Sequence, residues 1–269
     1  MKVLLIVVNS IFFALLILII VVALIGYMFQ SLTFSGVLGT IIVGAFVLVG
    51  FNFKGLLLLG AFFASSSLLS KFKIEKKQEY LQSKLEKGEQ RDIIQVLANG
   101  GVPAIIALFA YISPENVWQY MFIIAIAAAN SDTWASELGS LSKYKPVFVL
   151  TLKRVDPGTS GAVSIVGTFA GLAGSIFIAI VSVMLWKEIS ITAFLLIILF
   201  GFLGNLLDTL FGATIQVSYR CETCGLETEK TVHCEKNTSY KSGYILFNND
   251  MVNFSSILLA SVIGGVYLM

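Results

Sequence analysis

The sequence is dominated by apolar runs of about 17 to 26 residues separated by polar breaks. A run of about 20 helical residues crosses ~30 Å of hydrocarbon with every backbone group paired inside the segment. No other feature constrains the chain as tightly. With 57% hydrophobic and 13% charged residues and a mean hydropathy of +0.89, against ~25% charged in an average soluble domain, a soluble fold is excluded. The expectation is an all-α polytopic transmembrane bundle of seven or eight helices, with polar cytoplasmic loops, forming one integral membrane domain over 1–269.

Eight helices are predicted, at about 3–28, 32–50, 55–70, 93–111, 117–139, 161–186, 190–216 and 251–269. The first is too long for a signal-peptide core and no small-residue cleavage site follows it. The run at 55–70 is short, so an interfacial or re-entrant segment is an alternative to a crossing. Segments 71–92, 140–160 and 217–250 hold 15 of the 18 Lys and Arg residues. The positive-inside rule makes all three cytoplasmic and puts both termini outside, in a multi-pass protein of the cell membrane. Segment 71–92 mixes Lys and Glu around Tyr80, Leu81 and Leu85 in the manner of a solvated amphipathic helix. A net charge of +2, spread among loops that also carry acids, gives no reason to expect a nucleic-acid partner.

Polar groups inside apolar helices are costly, so their placement is informative. They gather at the cytoplasmic ends. Gln95 and Asn99 share a face in the fourth helix, followed by Gly100, Gly101 and Pro103, a place where a loosened helix is expected. The fifth helix ends in Asn130-Ser131-Asp132-Thr133-Trp134-Ala135-Ser136-Glu137-Leu138-Gly139. Lys143, Lys145, Lys153 and Arg154 follow, then Asp156-Pro157-Gly158-Thr159-Ser160-Gly161 before the sixth helix. Glycines and hydroxyls opening a helix leave N–H groups free for an anion, although such a turn is also an ordinary helix start. Asn205, Asp208, Gly212 and Gln216 form one stripe on the seventh helix, and Asn248, Asn249, Asp250 and Asn253 open the eighth. Helix capping and interhelical hydrogen bonds account equally well for the asparagines. Buried Asp132 and Asp208 need a cation or protons; beside Lys and Arg they suggest magnesium holding a polyphosphate, with a proton or sodium relay as the competitor.

All three cysteines lie in one loop. Cys221-Glu222-Thr223-Cys224-Gly225 is a turn that presents two thiolates to one zinc, and His233-Cys234 would complete a structural site. Adjacent His and Cys ligands are awkward, and free thiols in a reducing compartment are the other reading. His233 is the only histidine, so as a ligand it leaves none to act as a base. A phosphate monoester, largely dianionic near neutral pH, needs none.

These motifs, spread in order over most of 85–255, make the chain similar to the integral membrane family that includes chloroplast phytyl-phosphate kinase and the animal transmembrane protein nineteen. The likeness is carried by Asn99-Gly100-Gly101, Ser131 to Gly139, Pro157 to Gly161, Asp208-Thr209-Leu210-Phe211-Gly212-Ala213-Thr214-Ile215-Gln216, the cysteine loop and Asn248 to Asn253. Asn130 and Ser131 depart from the small residues expected before Asp-Thr-Trp, and Thr209 replaces an expected serine. The resemblance implies phosphorylation of an isoprenoid monophosphate to its diphosphate by a nucleoside triphosphate, CTP favoured, with magnesium, at the bilayer surface. Asp132, Asp208 and Asp250 are then expected to hold the metal. Lys153, Arg154 and the N–H groups of Gly158, Thr159, Ser160 and Gly161 would neutralise the phosphoryl group, and Asn99 and Asn249 would orient it. Gly100, Gly101, Lys145, Gln216 and Asn253 complete the phosphate- and nucleotide-binding set, with Glu137 as a further ligand or a partner of Lys145. Asp132-Thr133-Trp134-Ala135 with Gly139 also resembles the core of phosphatidate cytidylyltransferases, by analogy only. A lipid cytidylyltransferase and a cation- or proton-coupled carrier are the alternatives.

Overall fold

In the computed structural model, the protein is described over residues 2–71 and 90–269, with side chains from Ser10. The amphipathic segment expected at 71–92 lies, over 72–89, outside the described residues. Seven helices carry the fold: α1 (Lys2–Met28), α2 (Phe34–Lys71), α3 (Ile93–Ile112), α4 (Asn116–Gly139), α5 (Ile165–Leu185), α6 (Ile191–Thr214) and α7 (Asn249–Leu268). Six of them are long and apolar enough to cross a membrane; the exception is α4.

The long helix α2 is two legs rather than one rod. At Asn52 the backbone leaves helical geometry (φ 52°, ψ −149°), a region that costs a non-glycine residue ~1–3 kcal/mol. The contacts show a reversal. On the first leg Gly36 abuts the Arg91 carbonyl and Gly50 abuts Ala107, so this leg runs alongside α3 in the same direction. Phe51 then stacks on Phe122 at 4.2 Å. On the second leg Ser67 Oγ accepts from Arg91 Nη1 at 3.2 Å, and Lys71 lies 4.8 Å from the centre of the Phe29 ring, back at the starting face. A Cβ on Gly55 would sit 2.6 Å from Phe51 Cβ and 2.9 Å from Val47 Cγ1, so the bend needs a residue without a side chain there. Each leg has about 18 residues, or about 27 Å of helix, so the predicted runs at 32–50 and 55–70 are both present as separate passes.

With α2 counted as two legs, eight helical runs are described, and Lys71, Arg91 and the connections 140–164 and 215–248 gather at one side, here the loop face. Short strands occupy the last two. β1 (Val147–Phe148) pairs with β2 (Ala162–Val163). β3 (Ser218–Arg220) lies between β4 (Glu227–Thr228) and β7 (Ser239–Ser242), and β5 (Val232–His233) pairs with β6 (Lys236–Asn237).

Helix α4 is the axis of the bundle. Met121 to Ser131 are all buried, whereas α1, α3 and α5 expose large apolar side chains such as Phe13, Ile17, Phe109 and Phe169, the pattern of surfaces solvated by lipid. Small residues let the helices close on α4 and on one another: a Cβ on Gly171 of α5 would lie 2.4 Å from Asn205 Nδ2 of α6 and 3.3 Å from Ala135 Cβ of α4, and one on Gly204 would lie 2.4 Å from Ala128 Cβ. In lipid, where apolar contact with a neighbouring helix gains little over contact with acyl chains, such close packing and interhelical hydrogen bonds hold the bundle. Asn130 Nδ2 donates to the Gly174 carbonyl and Ser131 Oγ to that of Gly171, both at 2.8 Å. Ser65 Oγ donates to Asn130 Oδ1 at 3.0 Å, tying in α2.

Candidate active site

One turn beyond those structural bonds the polar end of α4 opens onto a cavity of about 290 Å³ at the loop face. Asp132, Ser136 and Glu137 line it from α4; Asn205, Asp208, Thr209 and Gly212 from α6, with Gln216 just past its end; and Asn249 from the start of α7. Gly158, Thr159, Ser160 and Gly161 form a further wall, and Glu229 reaches in from the cysteine loop. Asp132 precedes the end of α4 by seven residues and Asp208 the end of α6 by six, about 10 Å below the helix ends at 1.5 Å per residue. Asp208 Oδ2 accepts from Ser256 Oγ of α7 at 3.3 Å.

The glycine-rich wall differs from the expected helix-opening cradle. Ala162 and Val163 are drawn into a strand with Val147 and Phe148. Helix α5 therefore starts at Ile165, capped by Ser164, whose Oγ accepts from the Gly167 N–H at 3.0 Å. Gly158 to Gly161 are a loop ahead of that helix and lie outside its first turn. Gly161 adopts φ +76° and its Cβ position falls 2.4 Å from Ala213, so only glycine permits both the turn and the contact with α6. Lys145 Nζ pairs with Asp156 Oδ1 at 2.8 Å and Thr159 Oγ1 donates to the Asp156 carbonyl at 2.8 Å, bracing the loop.

Other expected site residues lie off the cavity wall. Lys153 and Arg154 are exposed on the β1–β2 loop. Asn99 donates to the Gln95 carbonyl at 3.1 Å. Gln95 itself forms a capping box with Asp92, accepting from the Asp92 N–H at 3.1 Å while Asp92 Oδ1 accepts from the Gln95 N–H at 2.8 Å. Gly100 and Gly101 pack against Val43 and Phe254, and α3 continues through Pro103. Asp250 is buried in the first turn of α7, and Asn253 lies half-buried beyond it. Glu137, which is on the cavity wall, partners Ser70, whose Oγ donates to its Oε1 at 2.8 Å, and Lys145, off the wall, is engaged by Asp156. Near Glu137, burial lowers the Arg91 guanidinium below its ordinary range, opposed by the Glu137 charge.

Glu229 was not foreseen from the sequence. Its Oε1 accepts from Gln216 Nε2 at 2.8 Å and from Ser160 Oγ at 3.1 Å, and Gln216 Nε2 also donates to Ser160 Oγ at 3.0 Å. This triangle joins the segment just past α6, the glycine-rich loop and the cysteine loop. It also separates the cavity from a neighbouring one of about 360 Å³ bounded by Phe148, Thr228 and Lys241. Beyond it Cys221, Cys224, His233 and Cys234 gather, and the Cys221 thiol is lowered to about 6, chiefly by the Cys224 N–H.

Residues 17–261 match the family model described as integral membrane protein DUF92. An uncharacterized membrane protein of Methanocaldococcus jannaschii, MJ0933, is 38% identical over 185 residues, covering 68% of this chain and 74% of that protein. Protein PGR of Arabidopsis thaliana is 30% identical over 272 residues, covering 91% of this chain and 92% of its own length. The chloroplastic protein VTE6 of the same plant is 26% identical over 237 residues, covering 87% and 64%. No solved structure matches. A family match over residues 17–261, together with a relative 30% identical over 91% of the chain, makes this chain a member of the integral membrane family DUF92.

Proposed function

We propose that the protein is a membrane-embedded prenyl-monophosphate kinase that transfers a phosphoryl group from a nucleoside triphosphate, CTP by preference, to an isoprenoid monophosphate. The observation that carries this reading is the meeting of Asp132, Asp208, Asn249 and the Gly158–Gly161 loop around one cavity at the loop face. The family its motifs resemble includes a chloroplast phytyl-phosphate kinase, and VTE6 is among its relatives. Positive-inside loops would face the cavity to the cytoplasm, where the nucleotide is.

The donor set suits magnesium: Asp132 and Asp208 offer hard carboxylate oxygens from two helices, and magnesium takes one or two carboxylates together with phosphate and water. Bound there, it would neutralise charge on the triphosphate. The chain's own part is positioning. Asn249 and the loop amides of Gly158, Ser160 and Gly161 orient the two phosphates, the Thr159 N–H being held by the Asp156 carbonyl, and Lys153 and Arg154 draw the nucleotide from the water side. An oxygen of the acceptor monophosphate attacks the terminal phosphorus, the bond to the bridging oxygen breaks, and the nucleoside diphosphate leaves with that electron pair. The acceptor is already dianionic, so no base is required, in keeping with a sole histidine placed among the cysteines.

A carrier would continue polar groups toward the other face, whereas Met121 to Ala129 of α4 are apolar and buried. The test is transfer from labelled CTP or ATP, with magnesium, to farnesyl, geranylgeranyl and phytyl monophosphate by detergent-purified protein. A diphosphate product that disappears in Asp132→Asn and Asp208→Asn supports the kinase. Release of pyrophosphate with a CDP-linked product would make the protein a cytidylyltransferase, and no reaction or nucleotide binding would return the carrier.

A further inference from the structure

We infer that Cys221, Cys224, His233 and Cys234 hold one structural zinc ion, and that this ion fixes the loop that delivers Glu229 to the cavity. The four ligand atoms lie within 4.8 Å of one another, and no other such group occurs among the described residues. His233 Nδ1 is 3.6 Å from Cys224 Sγ and 3.2 Å from Cys234 Sγ. A zinc tetrahedron with Zn–S near ~2.3 Å and Zn–N near ~2.1 Å has edges of roughly 3.6 to 3.8 Å, so the cluster needs only small adjustments to close on an ion.

The backbone supplies a second, independent sign. The first pair sits on a tight turn in which the Gly225 N–H donates to the Cys221 carbonyl at 2.8 Å, with Gly225 at φ +72°. The second pair sits on a two-residue hairpin between β5 and β6 whose turn residues, Cys234 and Glu235, have φ of 51° and 59°. Such turns ordinarily take Asn-Gly or Gly-Gly, and a left-handed conformation costs other residues ~1–2 kcal/mol each. The conformation turns the Cys234 sulfur back beside the imidazole of its own neighbour, which removes the awkwardness of adjacent ligands. Three cysteines cannot all pair as disulfides within one chain, and four protein ligands leave no open position on zinc, so the role is structural.

The ligand pairs bracket residues 225–232. Within that span β4 pairs with β3, the Lys230 carbonyl accepts from Thr238 Oγ1 at 2.7 Å, and Glu229 bonds Gln216 and Ser160. An ion that ties both ends of this loop limits where Glu229 can sit. The positioning half of the inference rests on the proposed function for its importance; the metal half does not.

The test starts with metal analysis of the purified full chain, where one zinc per protein is expected and Cys224→Ser or Cys234→Ser should abolish it. Replacement by cobalt in the wild-type protein should give thiolate charge-transfer and tetrahedral d–d absorption, a reading that does not depend on any variant folding. Hydrogen exchange before and after chelation should show protection lost over 218–242 and retained in the helices. If transfer is established, removing zinc and Glu229→Ala should raise KM for the nucleotide similarly, and combining them should add little. Substoichiometric zinc with no cobalt spectrum would overturn the metal site. Unchanged exchange over 226–232 after chelation would overturn the positioning. A zinc-loaded protein without transfer leaves the metal site standing and removes the kinase; an active protein without zinc does the reverse.

Discussion

The two halves of α4 belong to one helix and do opposite things. Met121 to Ala129 are apolar and buried, filling the bundle axis. From Asn130 onward the helix is polar, but the polarity divides again within a few residues. Asn130 and Ser131, fully buried, spend their side chains on carbonyls of α5, while Asp132 and Ser136 face the cavity. A polar residue in a membrane helix is therefore not by itself a site; the neighbour it meets decides whether it holds the bundle or serves the cavity.

Asp132→Asn and Asp208→Asn break that division most sharply. Each keeps the shape of the side chain and removes its charge, so phosphoryl transfer should fall by about 10²–10³-fold, with the thermal unfolding midpoint little changed. A large loss of stability with activity retained would move both aspartates into the structural class. Gly171→Val tests the other side. Its added Cβ meets Asn205 Nδ2 at 2.4 Å and Ala135 Cβ at 3.3 Å, and overpacking of this kind costs ~1–3 kcal/mol, measurable by unfolding in mild detergent.

The passes were legible because lipid imposes length and composition on each one. Residues 32–50 and 55–70 were separable by the polar break around Asn52 and Lys54, although only the contacts of Ser67 and Lys71 establish that the chain doubles back. The cavity was legible where helical spacing placed Asp132, Ser136, Asp208, Gly212 and Gln216 along helix faces. Helical spacing does not distinguish a site from polar groups that local geometry absorbs. Gln95 and Asn99 share a face, and the resemblance gives Asn99 an orienting role, but Gln95 completes a capping box and Asn99 bonds the turn before it. Two-residue strands carry no periodicity, so the β1–β2 pair that delays the start of α5 was invisible, and it separates the glycine loop from the helix that the loop was expected to open. Glu229 was invisible for a related reason: its partners Gln216 and Ser160 are 13 and 69 residues away, and no spacing rule spans such a gap.

Ser131→Ala makes a finer cut. It removes one interhelical hydrogen bond to Gly171 and leaves a methyl group in its place; bonds of this class average ~0.6 kcal/mol in membrane proteins. Unfolding should shift slightly and transfer should hold, separating Ser131 from Asp132 although they are adjacent.

The smallest effect is expected at Asn99. Its amide donates to the Gln95 carbonyl and does not line the cavity. Pro103, four residues on, has no N–H to offer the Asn99 carbonyl, so this turn already lacks one backbone bond and Asn99 contributes locally. Asn99→Ala should therefore change nucleotide KM and turnover by no more than about twofold, the ~0.5 kcal/mol typical of substitutions away from packed or charged networks. A drop of the size expected for Asp132→Asn would mean that α3 moves toward the cavity when substrate binds, and would extend the functional half of the comparison to a helix that the resting structure assigns to packing.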